Sequence, residues 1–330
     1  MLALFRTNES LAVFPLILYI VLLRMPTLLG WAEPPTSEQG PQGWVYQWLF
    51  GGLNFSPQAS AWIATALVCL QAIVVNRLTD KYRMMEERTW MPGLSYGLVA
   101  SFIPDFLFFS PALLVCSFIP VGLWQIFSVY RRPLVFSSIF DTAILFTAVV
   151  LLYPPGLWFL LMAFIGFFAL RPFSAREQAV YGVGILTVFI IVQSALFWYD
   201  QLGSFWRIQV AYTFAWPHLV WPDALRQRLA VIALGLVILI AVLGFRSYYY
   251  KRITQVRKYI DLLYWFLLAG TLSALFRPGE TLDGFLLCMP SVGVFYSYLF
   301  EAFRRNPFAE LFHLCLFTAT WVIQLSERLF

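Results

Sequence analysis

The sequence predicts an all-α protein, a polytopic transmembrane helical bundle of about 11 membrane segments. Three observations predict it. Hydrophobic residues make up 61% of the 330 and charged residues only 12%, about half the charged share of a soluble domain. Apolar runs of membrane-crossing length recur along the chain. Basic residues gather in every second connecting segment. A soluble globule must cover its outside with polar groups, and this chain carries too few. The 33 Phe suit lipid-facing and packing positions, and the 16 Tyr and 13 Trp suit the headgroup layer.

The first run, 10–29, follows Arg6. No A-x-A-like cleavage site follows it, so it reads as a retained helix rather than a signal peptide. Further runs lie at about 59–76, 92–103, 111–129, 134–152, 156–170, 178–199, 229–248, 259–276, 284–302 and 308–326. The third is too short to cross alone, but the charge alternation needs it as a crossing. Pro104-Asp105 and Tyr153-Pro154-Pro155-Gly156 mark tight breaks.

Charge sets the orientation. With the N-terminus in the cytoplasm, the inner segments hold Arg6, then Arg77, Lys81, Arg83 and Arg88, then Arg131 and Arg132, then Arg171 and Arg176. They go on with Arg246, Lys251, Arg252, Arg257 and Lys258, and end with Arg304 and Arg305, making 16 of the 22 Lys and Arg. Every inner segment is basic, so the bundle reads as N-in and C-out. The net charge of +5 is then a bias between membrane faces, with no call for nucleic acid. Lys251–Lys258 reads as a topology determinant.

Residues 1–330 read as a single integral membrane domain with two longer outer loops, 30–58 and 200–227. The first has no Lys or Arg. Its stretch Trp44, Val45, Tyr46, Trp48, Leu49 and Phe50 predicts an interfacial helix in the outer headgroup layer. The second carries Trp206, Arg207, Trp216, His218, Trp221 and Asp223.

The pattern excludes several chemistries. No P-loop, dinucleotide fingerprint, zincin or nucleophile-elbow motif occurs. Only two histidines are present, and Cys69, Cys116, Cys288 and Cys315 lack zinc spacing. They read as buried thiols within apolar runs.

What remains is an outer polar set: Glu33, Glu38, Asp105, Arg207, His218, Asp223, Arg277, Glu280 and Asp283. Asp105 sits among aromatics, where a carboxylate is costly without a partner. Desolvation there would weaken its acidity and make it a candidate base; alternatively it caps a helix start. Arg277 could grip a phosphate or snorkel to headgroups and pair with Glu280 or Asp283. His218 is either a ligand contact or part of an aromatic surface loop. Membrane-level acids are few: Asp141, Asp261, and Glu301 and Glu310 near Arg304 and Arg305.

Several stretches carry a resemblance: Asn76-Arg77-Leu78, the passage from Leu94 to Phe109-Ser110-Pro111, Tyr153-Pro154, Arg171-Pro172-Phe173-Ser174-Ala175-Arg176-Glu177, Gln255-Val256-Arg257-Lys258, and Pro290 to Asn306. On these the chain resembles a family of multi-pass inner-membrane proteins of Bacteroidetes, a domain of unknown function. The resemblance implies a bacterial inner (cytoplasmic) membrane with outer loops in the periplasm, and it transfers no catalytic residue. The architecture is also similar to that of C-type membrane glycosyltransferases. These begin with one helix, then an outer loop bearing an acid and an interfacial helix, then a short second outer loop with another acid. That likeness implies Glu33, Glu38 and Asp105 as catalytic acids, and Arg207, His218 or Arg277 against the phosphate of a polyprenyl-phosphate-linked sugar. A divalent cation could bridge carboxylate and phosphate. The usual paired acids are absent, and Pro34-Pro35 stands where a second acid is expected.

Three functions follow as expectations. The first is a glycosyltransferase-like enzyme of envelope glycan assembly. The second is a non-catalytic subunit of an envelope secretion or motility complex, with envelope protein partners. The third is a lipid or solute transporter, which would need Asp141 or Asp261 on a polar path.

Overall fold

The computed structural model describes residues 2–6, 10–31, 42–53, 55–133, 135–172, 174–213, 225–244, 248–276, 281–303 and 308–329. Among them it is helical, with no strand. This is the polytopic helical membrane class that the sequence predicts. The helices are α1 (Val13–Leu23), α2 (Trp44–Phe50), α3 (Pro57–Lys81), α4 (Met91–Val99), α5 (Pro111–Cys116), α6 (Phe118–Ser128) and α7 (Phe136–Leu152). The chain continues through α8 (Leu157–Leu170), α9 (Ala175–Trp198), α10 (Leu202–Thr213), α11 (Leu225–Leu243), α12 (Thr254–Leu275), α13 (Met289–Ala302) and α14 (Phe308–Leu329). Among the described residues, five segments are long and apolar enough to cross a membrane: Pro57–Lys81, Pro111–Ser128, Ala175–Trp198, Asp283–Ala302 and Phe308–Leu325.

Local chemistry explains the boundaries. Ser56 caps α3 by accepting the Ala59 N–H at 3.2 Å, and Pro57 occupies the first turn. α3 outruns the expected 59–76 because its polar end is bonded inside the protein. Asn76 accepts the Gly93 N–H at 3.3 Å, and Thr79 donates to the Asn76 carbonyl at 2.8 Å. Ser174 and Glu177 form a capping box at the start of α9, and Arg171 pairs with Glu177 at 2.9 Å. The Tyr153–Gly156 break is present, with a single 3-10 turn at Pro154–Gly156. The second outer loop differs from expectation. It contains α10, held by buried Phe205 and by Gln209, which donates to the Val150 carbonyl at 2.7 Å.

The core centres on α4 and α13, which pack together. All nine residues of α4 are buried. Glycine permits this closeness: a Cβ on Gly293 would lie 2.7 Å from Tyr96 Cα. α4 is thus not a full crossing helix. Nine residues rise roughly 14 Å, against about 30 Å of hydrocarbon. The chain after it, 100–110, turns without forming an α-helix. Irregular backbone at such depth is tolerated only inside protein, and here it is bonded by Arg24, by Ser60 of α3 and by Gln324 of α14.

The predicted inner and outer segments sort to opposite ends. At the basic end Lys258 donates to the Leu170 carbonyl at 3.0 Å and Arg171 to the Arg132 carbonyl at 2.6 Å. Glu301 pairs with Arg252 and accepts the Glu86 N–H at 2.9 Å; Arg304 and Arg305, the partners that the sequence suggested, lie outside the described residues. Of the cysteines, Cys116 and Cys288 are buried as expected, Cys69 is half-buried and Cys315 is exposed.

Candidate functional site

The end opposite the basic cluster gathers the chemistry. α1 stops at Leu23, and Arg24 follows at 1% exposure. Its guanidinium turns inward to the segment that leaves α4. It donates to Ser101 Oγ at 3.0 Å and to the carbonyls of Ala100 at 3.0 Å, Phe106 at 2.9 Å and Leu107 at 3.5 Å. The physical logic is direct. A helix ending inside the bundle leaves carbonyls without N–H partners. A planar fork of donors answers several of them at once. Gln324 adds a donor to the Ser101 carbonyl at 2.8 Å. Nothing in the local sequence around Arg24 signals this clasp.

The clasped segment carries Asp105 on the 3-10 turn Pro104–Phe106. Asp105 is half-buried, and its Oδ2 accepts the Leu282 N–H at 2.7 Å across 177 residues of sequence. The bond reaches a distant segment, since Leu282 directly precedes the 3-10 segment Asp283–Cys288, where one reading of the sequence expected Asp105 to cap a helix start. Leu282 is followed by Asp283, which is 5% exposed and accepts the Thr281 hydroxyl at 2.7 Å. Two carboxylates from opposite halves of the chain are so tied to one place.

The short helix expected in the first outer loop is α2, and it is locked against the bundle by close approach. Gly43 donates to the Leu152 carbonyl at 3.0 Å, and a Cβ on it would lie 2.1 Å from the Leu151 carbonyl oxygen. Tyr46 and Phe50 face Phe109, with ring centroids at 6.3 and 5.5 Å. Phe109 in turn donates its N–H to Ser60 Oγ at 2.9 Å. Burial pushes the Tyr46 phenol up from its ordinary range, and the Asp283 charge adds to the rise.

The other residues singled out from sequence fall as follows. Arg207 is exposed on α10, which packs on α2 and the Pro154–Gly156 turn. Glu33, Glu38, His218, Asp223, Arg277 and Glu280 lie outside the described residues. Among the described residues no three His, Cys, Asp or Glu side chains come together as a metal-binding group. Asp141 is exposed on α7 and accepts Ser137 Oγ at 3.4 Å. Asp261 accepts the Tyr249 hydroxyl at 3.3 Å beside the basic end.

No family model matches the chain, and no curated protein matches it. Among solved structures the chain is similar to the archaeal oligosaccharyltransferase AglB from Archaeoglobus fulgidus, in complex with an inhibitory peptide and a dolichol-phosphate. The TM-score is 0.47 at 11% identity, over 95% of this chain and 51% of that one. The chain thus spans about half the length of that protein. At this degree of likeness no residue is carried over.

Proposed function

We propose that the protein is a membrane glycosyltransferase-like enzyme of the bacterial cytoplasmic membrane, using a polyprenyl-phosphate-linked sugar in envelope glycan assembly. One observation carries the reading: at the non-basic end of the bundle Asp105 bonds the backbone of Leu282, the residue beside Asp283, and the aromatic helix α2 packs on Phe109 close by. By the positive-inside rule that end faces the periplasm, where a lipid-linked sugar in the outer leaflet would arrive.

In this reading one of the two carboxylates takes the proton from an acceptor hydroxyl as its oxygen bonds to the sugar C1. The C1–O bond to phosphate breaks, and polyprenyl phosphate leaves with the bonding electrons. Glu33 and Glu38 are the further candidate acids. Arg207, His218 and Arg277 are the candidates to stabilise the leaving phosphate. Asp105 and Asp283 are hard oxygen donors of the kind that hold a divalent cation together with substrate phosphate oxygens, so such a cation belongs to the proposal.

The test is mass spectrometry of envelope glycans and lipid-linked sugars in a deletion strain. The strain is complemented with wild type or with Asp105→Ala plus Glu33→Ala. A missing sugar, or an accumulated polyprenyl donor, that only wild type corrects is the expected result. An unchanged spectrum in the deletion strain would instead favour a non-catalytic subunit, to be pursued through its partners.

A further inference from the structure

Behind the carboxylates, on the far side of α2, lies a second feature. Trp44, Gln47, Trp48, Tyr199 and Gln201 line a cavity of ≈ 440 Å³, within the roughly 300–1,000 Å³ of small-ligand sites. Trp44 and Trp48 are one turn apart on α2. Their rings are nearly coplanar in orientation, with centroids 6.4 Å apart and planes at 10°. The facing wall is the corner between α9 and α10. Asp200 adopts φ +54° there, a left-handed conformation that Asp tolerates. This turns the chain so that Tyr199 and Gln201 both reach the cavity.

The lining defines the ligand chemistry. None of the five is a Lys, Arg or His, so the cavity offers no cationic partner to a phosphate or carboxylate. Aromatic faces present an apolar, electron-rich surface, which complements the C–H face of a sugar ring. Amides complement ring hydroxyls. Gln47 donates to the Gln42 carbonyl at 3.4 Å, and Gln201 Oε1 accepts Ser204 Oγ at 2.7 Å. Each amide has four hydrogen-bonding positions, so among the described residues both keep capacity to bond a ligand. Trp48 and Tyr199 are also 66% and 67% exposed. An aromatic belt places single rings against lipid. Two parallel indoles, a phenol and two amides around one cavity make a different arrangement.

We infer that this cavity binds a neutral sugar ring of an envelope glycan. It deepens the transferase reading by adding a second sugar site. Tyr46 and Phe50 turn toward Phe109 and the carboxylates, while Trp44 and Trp48 turn toward the cavity. The bound sugar is therefore a remote ring of a glycan substrate and not the ring being transferred. Remote contacts of this kind supply binding energy that orients the reacting centre.

The test is saturation-transfer NMR on the full protein in nanodiscs. The probes are maltohexaose, chitohexaose and mannohexaose, with a hyaluronan hexasaccharide as the charged comparison. At least one neutral hexasaccharide should bind wild type and Asp105→Asn alike. Binding should weaken roughly tenfold or more in Trp48→Ala plus Tyr199→Ala, two exposed positions whose loss leaves the core intact. Absence of neutral-sugar binding, binding of the charged sugar alone, or equal binding by the double variant would each overturn the proposal. Binding that survives while the glycan spectrum of the deletion strain is unchanged would retain the sugar site and reject the transferase.

Discussion

Arg24 and Arg252 are both largely buried arginines at opposite ends of the bundle, and they are satisfied in opposite ways. Arg252, at the basic end, meets carboxylates: Glu301 directly and Glu86 at 3.8 Å. It also lies over the Tyr298 ring at 5.3 Å. Arg24, at the other end, meets three carbonyls and a hydroxyl. Arg252 thus neutralises a carboxylate on α13, whereas Arg24 donates to backbone carbonyls such as those of Ala100 and Leu107, whose fourth-following residues, Pro104 and Pro111, have no N–H to offer. The lesson is that the basic end is held by pairs that can be exchanged together. The carboxylate end is held by one side chain acting on backbone, which no second substitution can match.

The largest expected effect follows from that contrast. Arg24→Met should destabilise the protein by roughly 4 kcal/mol or more, since several charge-assisted hydrogen bonds to buried carbonyls vanish at once. Thermal unfolding in detergent would show it. Arg24→Lys should recover little, because a single ammonium lacks the fork geometry. Full rescue by Lys would mean that charge, rather than the fork, holds the turn.

Arg252→Met should cost about 3 kcal/mol by leaving Glu301 buried without its cation. Adding Glu301→Gln should return most of that loss, a recovery that the Arg24 site cannot show. A double-mutant cycle reads the coupling directly. Two independent losses that simply add would erase the distinction between the ends.

Gly43→Val sharpens the comparison within the carboxylate end. The new side chain meets the Leu151 carbonyl, so α2 must lift. About 1–3 kcal/mol of stability should be lost, and Tyr46 should gain access to solvent, as measured by its fluorescence quenching or iodination. The smallest effect is expected at Lys81, whose ammonium lies 3.9 Å from the Trp124 ring centre. Lys81→Ala should cost less than about 1 kcal/mol.

Hydropathy alone revealed the run of helices, the Tyr153–Gly156 break and interfacial α2, because lipid exposure and headgroup position act residue by residue. It missed α10, whose residues Leu202–Thr213 mix Ser204, Arg207 and Gln209 with apolar positions and resemble an outer loop. It also stopped α3 too early, because Asn76 and Thr79 look like exit residues until their internal bonds are seen. Asp105 stood out from its aromatic setting. Its tie to Leu282 did not, because it joins places 177 residues apart. Arg24 was legible only as a charge near a helix end. Its role depends on α4 stopping short inside the bundle, a fact of packing that no local pattern records.

The most direct test of the central claim is release of polyprenyl phosphate by the purified protein in nanodiscs, supplied with lipid-linked sugars extracted from its own membranes. Wild type should release it, and Asp105→Asn or Asp283→Asn should do so roughly 100-fold more slowly or less, with melting temperatures close to wild type. Equal release by both variants would remove the carboxylates from the chemistry. No release by folded wild type would contradict the enzyme itself.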